Sequence, residues 1–257
     1  MNIFVCIKQV PATETKIKIN ADGKTIDSAG IKWIMSPYDE FAVEEALRVK
    51  EKAGAGTVTV ISTGPVRVTE TIRTALAMGC DNAVHVDAPE DADSFMTAKA
   101  LAEAIKKEGK PDLVFTGKQA IDDDCAQVGQ LLGTMLEIPY VTVTVSAEYG
   151  ASSIMVKRET EGGTLEVVEI QKPCLIAPQK GMNEPRFASL PNIMKAKKKE
   201  IKAYKLAELG VSDSDRKIRI TSLQLPPPKQ AGKKIAGDAA SQAKELVKLL
   251  HEEAKVI

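Results

Sequence analysis

The chain has 257 residues, enough for one large α/β domain with extensions, and its 44% hydrophobic content packs mainly through Val, Ile, Leu and Ala because aromatics supply only 4%. Lys plus Arg and Asp plus Glu balance at 35 each, so no net field points to nucleic acid. Four scattered cysteines without a C-x-x-C pair exclude a zinc knuckle, two histidines exclude a His-rich metal site, and no apolar run is long enough to span a bilayer.

The chain begins on an apolar run rather than a leader-like segment, which with the unpaired cysteines predicts a soluble, cytoplasmic product with no membrane insertion. Residues 2–10 read as a buried strand. Ser36 suits a helix N-cap, Pro37 the first turn and Asp39 the capping-box position, ahead of an apolar stripe through Ala42, Val43, Ala46 and Leu47. Residues 57–62 read as a strand, 69–78 as a helix, 82–86 as a strand, 94–107 as a helix and 112–116 as a strand. Helical spacing resumes through Val128, Leu131, Leu132, Met135 and Leu136, in a helix expected over 125–136. Strands alternating with helices imply parallel pairing through right-handed crossovers, hence an α/β fold with a doubly wound, mostly parallel sheet. Residues 141–147, 154–158 and 165–170 are closely spaced, with a turn at Glu161-Gly162-Gly163, and predict an antiparallel addition.

From Gly181 the pattern reads as a polar loop, then the lysine-rich 195–202, a short helical stretch at 204–209 and a strand at 218–223. Pro226 to Pro228 form a stiff spacer before an amphipathic helix over 238–255. These features divide the chain into an α/β domain over 1–224, with a projecting loop at 182–199, and a C-terminal arm over 225–257 that packs on a partner.

Ligands of open α/β sheets sit beyond the carboxyl ends of the strands, where strand order reverses. The candidate positions are therefore residues 6–9, 36–39 and 63–65, and above all the run Gly117-Lys118-Gln119-Ala120-Ile121-Asp122-Asp123-Asp124, which leads into a helix whose first N–H groups suit a phosphate. Neither a Walker A loop nor a G-x-G-x-x-G fingerprint is present. Taken alone, the three aspartates read as helix-start chemistry, Cys6 as core filler, His85 as a satisfied core residue and the lysine run as a solvated face. Cys125 at a helix start invites a lowered pKa, but no base accompanies it. The residues alone imply a nucleotide-binding domain with a partner-binding arm and no catalytic set, and leave the ligand unnamed.

The segment Met182-Asn183-Glu184-Pro185-Arg186-Phe187-Ala188-Ser189-Leu190-Pro191-Asn192-Ile193-Met194-Lys195 resembles the signature of the electron-transfer flavoprotein β subunit, and residues 43–52, 70–79, 117–124 and 157–163 resemble the same family. That resemblance spans essentially the whole chain. It implies a non-catalytic electron-carrier subunit paired with an α subunit that holds most of the redox FAD. It also implies a structural AMP in this chain at Cys6, Ser36, Pro37, Tyr38, Asp39, Thr63, Gly117 to Asp124, Cys125, Ala126, Gln127 and Val128. Phe187, Ala188, Ser189, Leu190, Pro191, Asn192, Ile193, Met194 and Lys195 match the loop that docks on acyl-CoA dehydrogenases, with Leu190 as the knob and a membrane quinone oxidoreductase as the onward acceptor. Ala126 and Val128 depart from the mitochondrial-type pattern and resemble the electron-bifurcating, NADH-oxidising branch, where a second FAD replaces AMP. Asp123 stands where that branch has glycine and favours AMP. Thr13 stands where some members have a flavin-contacting tyrosine, so no flavin contact is expected there.

Overall fold

The computed structural model describes residues 1–228 and 231–257, so Lys229 and Gln230, inside the expected arm, lie outside it. The described residues form two compact units, 1–222 and 223–257.

The first unit holds a nine-stranded sheet. Its strands are β1 (Asn2–Cys6), β4 (Thr57–Gly64), β5 (Asn82–Asp87), β6 (Leu113–Thr116), β7 (Tyr140–Tyr149), β8 (Ser153–Glu159), β9 (Leu165–Gln171), β10 (Cys174–Pro178) and β11 (Lys202–Lys205), in the order β11-β5-β4-β1-β6-β10-β7-β8-β9. All neighbours from β11 to β7 are parallel, while β7-β8-β9 is the expected antiparallel addition. The chain builds outward from β1 through β4 and β5, then returns to place β6 on β1's other side. Strand order therefore reverses between β1 and β6.

Both faces of the sheet are covered, and the central strands β1, β4, β6 and β10 are accordingly buried at nearly every position. Ile3 and Val5 of β1 face a core shared with α1 (Pro37–Ala53) and α2 (Val68–Met78). Phe4 and Cys6 face a second core, shared with α3 (Ser94–Glu108) and α4 (Val128–Met135). The alternation follows from the two-residue strand period.

Several expectations are corrected. Residues 2–10 are not one strand: β1 ends at Cys6, and β2 (Gln9–Pro11) pairs antiparallel with β3 (Trp33–Met35) in a separate ribbon. β10 was not anticipated, although all five of its residues are buried. Residues 202–205 form the edge strand β11, and only Leu206–Leu209 coil as a 3-10 turn. Residues 218–223 form no strand, because the Asp93 carboxylate captures the N–H groups of Lys217 and Ile218 at 2.6 and 2.8 Å. The segment after Gly181 is not all loop: Leu190–Lys198 is the helix α5, which packs on α2 through the buried Ala196.

The second unit carries α6 (Ala239–Lys248), capped by the Asp238 carboxylate at 2.8 Å from the Ser241 N–H, and a wider π turn over Leu249–Ala254. Leu246, Val247, Val256 and Ile257 are exposed there. Among the described residues no helix is long and apolar enough to cross a membrane.

Candidate functional site at the sheet switch point

β1 and β6 end side by side, at Cys6 and Thr116, and the chain leaves them as Ile7-Lys8 and Gly117-Lys118. Asp39 holds these two exits together. Its Oδ2 accepts the Lys8 N–H at 2.7 Å and its Oδ1 the Gly117 N–H at 2.9 Å. Asp39 was expected in a capping box with Ser36, but Ser36 makes no side-chain cap and the carboxylate serves the strand ends instead. Two buried amide donors left without a partner would cost more than an uncapped helix turn, which explains the choice. Burial pushes the Asp39 carboxyl up to about 7, against the opposing effect of its two N–H donors and the Lys8 charge.

Gly117 is demanded by space rather than by φ. A Cβ there would lie 2.9 Å from the Tyr38 carbonyl carbon and 2.9 Å from its Cβ, so only glycine lets the two backbones approach this closely. The Lys118 N–H then donates to the Pro178 carbonyl at 3.0 Å, tying the loop to β10, and the Lys118 ammonium lies 5.8 Å from the Tyr38 ring centre. Gln119 donates to Asp124 at 2.6 Å, and the Ala120 carbonyl accepts the Asp124 N–H at 3.0 Å, which closes a turn over the half-buried Ile121.

The acidic run is partly neutralised from across the switch point. Lys8 Nζ lies 2.8 Å from Asp122 and 3.0 Å from Asp123, and Asp123 also accepts the Cys125 N–H at 3.1 Å. Partial burial works to lower the Lys8 pKa, but the two carboxylates more than offset it and leave it raised. Lys8 lies within the candidate stretch 6–9, but nothing in the sequence marks it as the partner of an acidic run more than a hundred residues away.

The expected helix over 125–136 starts only at Val128. Asp124 and Ala126 are left-handed, both with φ of 50°, and break the helical path before Gln127. Cys125 is therefore exposed on an irregular turn, and partial burial and the neighbouring Asp123 raise its thiol pKa rather than lower it. α4 begins with no side-chain cap on Gln127 and no acidic residue in its first turn, so its leading N–H groups have no side-chain acceptor. Gly129 is buried, and a Cβ on it would sit 2.9 Å from Thr116 Oγ1.

The remaining candidates line the same edge. Cys6 is buried among the α3 and α4 side chains, and burial first, then Asp39, pushes its thiol up. Ser36 donates its N–H to the Lys8 carbonyl at 3.0 Å, Pro37 opens α1, and Thr63 lies half-buried near the end of β4. The Ser36 and Thr116 hydroxyl oxygens are buried with no partner. Orphaned hydroxyls and uncapped amides at one strand edge fit a polar, anionic ligand such as a nucleotide. His85, on the next strand out, is buried and spends its ring nitrogen on the Gly64 carbonyl at the end of β4, at 2.8 Å.

A second feature lies on the α1–α2 face. Phe187 is 99% exposed and Leu190, the first residue of α5, is 73% exposed. Pro191 follows Leu190 in the first turn, Ser189 caps the helix through a long 3.4 Å contact with the Asn192 N–H, and Ala188 is half-buried. Ile193, Met194 and Lys195 are also exposed.

Comparison with known proteins points to a single family. The family profile described as "Electron transfer flavoprotein domain" matches residues 23–209. The chain is 41% identical to the electron transfer flavoprotein subunit beta of Bacillus subtilis, covering all of both chains. It is 40% identical to the subunit beta of Bradyrhizobium diazoefficiens, again over all of both, and 40% identical to that of Homo sapiens, over 96% of this chain and 98% of the relative.

Proposed function

The chain belongs to the electron-transfer flavoprotein family as a β-subunit member, and from that premise we propose that it is the AMP-holding β subunit of a heterodimeric electron carrier. The redox chemistry is that of an FAD held mainly by the α subunit. This chain contributes no catalytic group; its own residues bind, orient and dock.

The observation that carries the reading is the switch-point edge. Uncapped α4 amides would receive the phosphate, with Lys8 offsetting part of the repulsion that Asp122 and Asp123 would otherwise exert. The unpartnered hydroxyls of Ser36 and Thr116 offer hydrogen bonds to the nucleotide's polar atoms. Asp39 ties the two strand exits together beside this edge, through the Lys8 and Gly117 N–H groups. Because the nucleotide binds only the folded chain, it would stabilise that state.

Docking is the task of the apolar knob at Leu190, flanked by Phe187 and Met194. Exposed apolar side chains on a short rigid helix suit a pocket on an acyl-CoA dehydrogenase, and Lys195, Lys197 and Lys198 suit steering toward an acidic rim. The acceptor downstream is a membrane-bound quinone oxidoreductase, and the arm over 225–257 packs on the α subunit.

Nucleotide content tests the reading. Denaturing the purified heterodimer should release one FAD and one AMP. Release of two FAD and no AMP would replace it with a bifurcating, NADH-oxidising complex, the alternative that Ala126 and Val128 suggest.

A further inference from the structure

Between Gly181 and Ser189 the chain forms no helix or strand, so no backbone ladder fixes the direction in which Phe187 projects or the angle at which the chain enters α5 at Leu190. Side chains of α1 hold it instead. Asn183 Nδ2 donates to the Phe41 carbonyl at 3.0 Å and to Glu45 at 2.9 Å. Arg186 donates its backbone N–H and its Nε to Glu44 Oε2 at 3.1 and 2.8 Å, and its two terminal nitrogens to Glu51 at 2.5 and 3.0 Å. Glu44 and Glu51 are seven residues apart on α1, so they stand on one face about two turns apart, and a single guanidinium fork spans both. The Glu44 side chain is 3% exposed, and among the described residues its only other ion-pair partner is Arg48. At the far side Arg73 grips the Ala196 carbonyl at 2.6 Å and the Lys199 carbonyl at 3.2 Å, while Lys199 reaches the Cys80 carbonyl at 2.7 Å. The apolar tip is thus a bridge with an anchor on each helix, and its leading anchor is Arg186.

We propose that Arg186 is a positioning residue that, through Glu44 and Glu51, fixes the orientation in which the tip at 187–194 meets its partner; this rests on the docking reading given above. Neutralising Glu44 alone would not require the second carboxylate, whereas orienting the tip does. The fork at Glu51 sets the rotation of the segment about the Arg186–Glu44 bond.

The test uses the whole heterodimer with Arg186→Gln, Arg186→Lys, Glu51→Gln and Leu190→Ala. Hydrogen exchange at 187–194 and the KM and kcat for reduction by an acyl-CoA dehydrogenase are measured for each. Arg186→Gln should speed exchange at the tip about tenfold and raise KM about tenfold with kcat near wild type, the size expected when a docking segment must be ordered on binding. Arg186→Lys, which keeps one ion pair, should fall between. Glu51→Gln strands no buried charge, so it keeps the test open if Arg186→Gln fails to fold, and it too should fall between. Unchanged exchange in the foldable variants overturns the proposal. So does faster exchange with an unchanged KM when Leu190→Ala raises KM. A flat KM for Leu190→Ala removes the docking reading itself, and the positioning role with it.

Discussion

The buried Asp39 carboxylate accepts two N–H hydrogen bonds at the seam between β1 and β6, and its titration should be visible in stability. The folded pKa of about 7 lies above the unfolded value of 3.8. The contribution is therefore fully present below about pH 4 and is lost as pH rises through 7, on the order of 4 kcal/mol if the whole difference is expressed. Asp39→Asn removes this dependence, so the variant should gain on wild type as pH rises from 4.5 to 8 in denaturant unfolding of the heterodimer. A wild-type–variant gap that stays constant over that range would contradict the assignment. Gly117→Ala should cost about 2 kcal/mol and lower nucleotide content, because a methyl group cannot fit against the Tyr38 backbone; full retention of nucleotide on denaturing release would show that the loop can yield. The Ser36-to-Asp39 spacing was legible as a helix start, but the carboxylate's partners were not. They depend on which strands end side by side, and that is a property of the sheet order.

Among the elements, α5 shows most clearly where pattern reading fails. Its sequence is short, lysine-rich and contains Pro191, so it reads as loop; yet proline in a first turn is compatible with a helix, and Ala196 alone anchors it in the core. Leu190→Ala should slow reduction by the dehydrogenase roughly tenfold while flavin content and heterodimer assembly stay intact, since Leu190 makes no contribution to the core. Equal rates for variant and wild type would remove it from the docking surface. The alternating Ile218 and Ile220 misled in the opposite direction, because a strand pattern is realised only where a partner edge is free, and Asp93 holds the backbone there. β10 was missed because a five-residue apolar run gives no periodicity of its own, although it lies between β6 and β7 in the sheet.

At the scale of the molecule, the doubly wound sheet was readable because helices and strands alternate from α1 through α4, and the antiparallel addition because three strand patterns then follow in close succession. The site was readable only as a location. The fold rule names the switch point, while Lys8 and the hydroxyl of Thr116 are brought there by strand order. The second unit exposes Leu246, Val247, Val256 and Ile257, which supports the proposal that the arm rests on the α subunit. Truncation after Leu225 should therefore weaken α association, seen as a split peak on gel filtration at low micromolar concentration; an unchanged heterodimer peak would count against the proposal.

Asp39, Glu44 and Glu51 all belong to α1, so one rigid rod carries both the clasp on the switch point and the clamp on the apolar tip. The two tasks are set about twelve residues apart, or roughly 18 Å along the axis, and in fixed angular phase. Inserting or deleting a single residue between Asp39 and Glu44 would swing Glu44 by about 100° around that axis while leaving the clasp in place. α1 is thus a gauge as well as a packing element: substitutions on its outer face are open to drift, but its length is not.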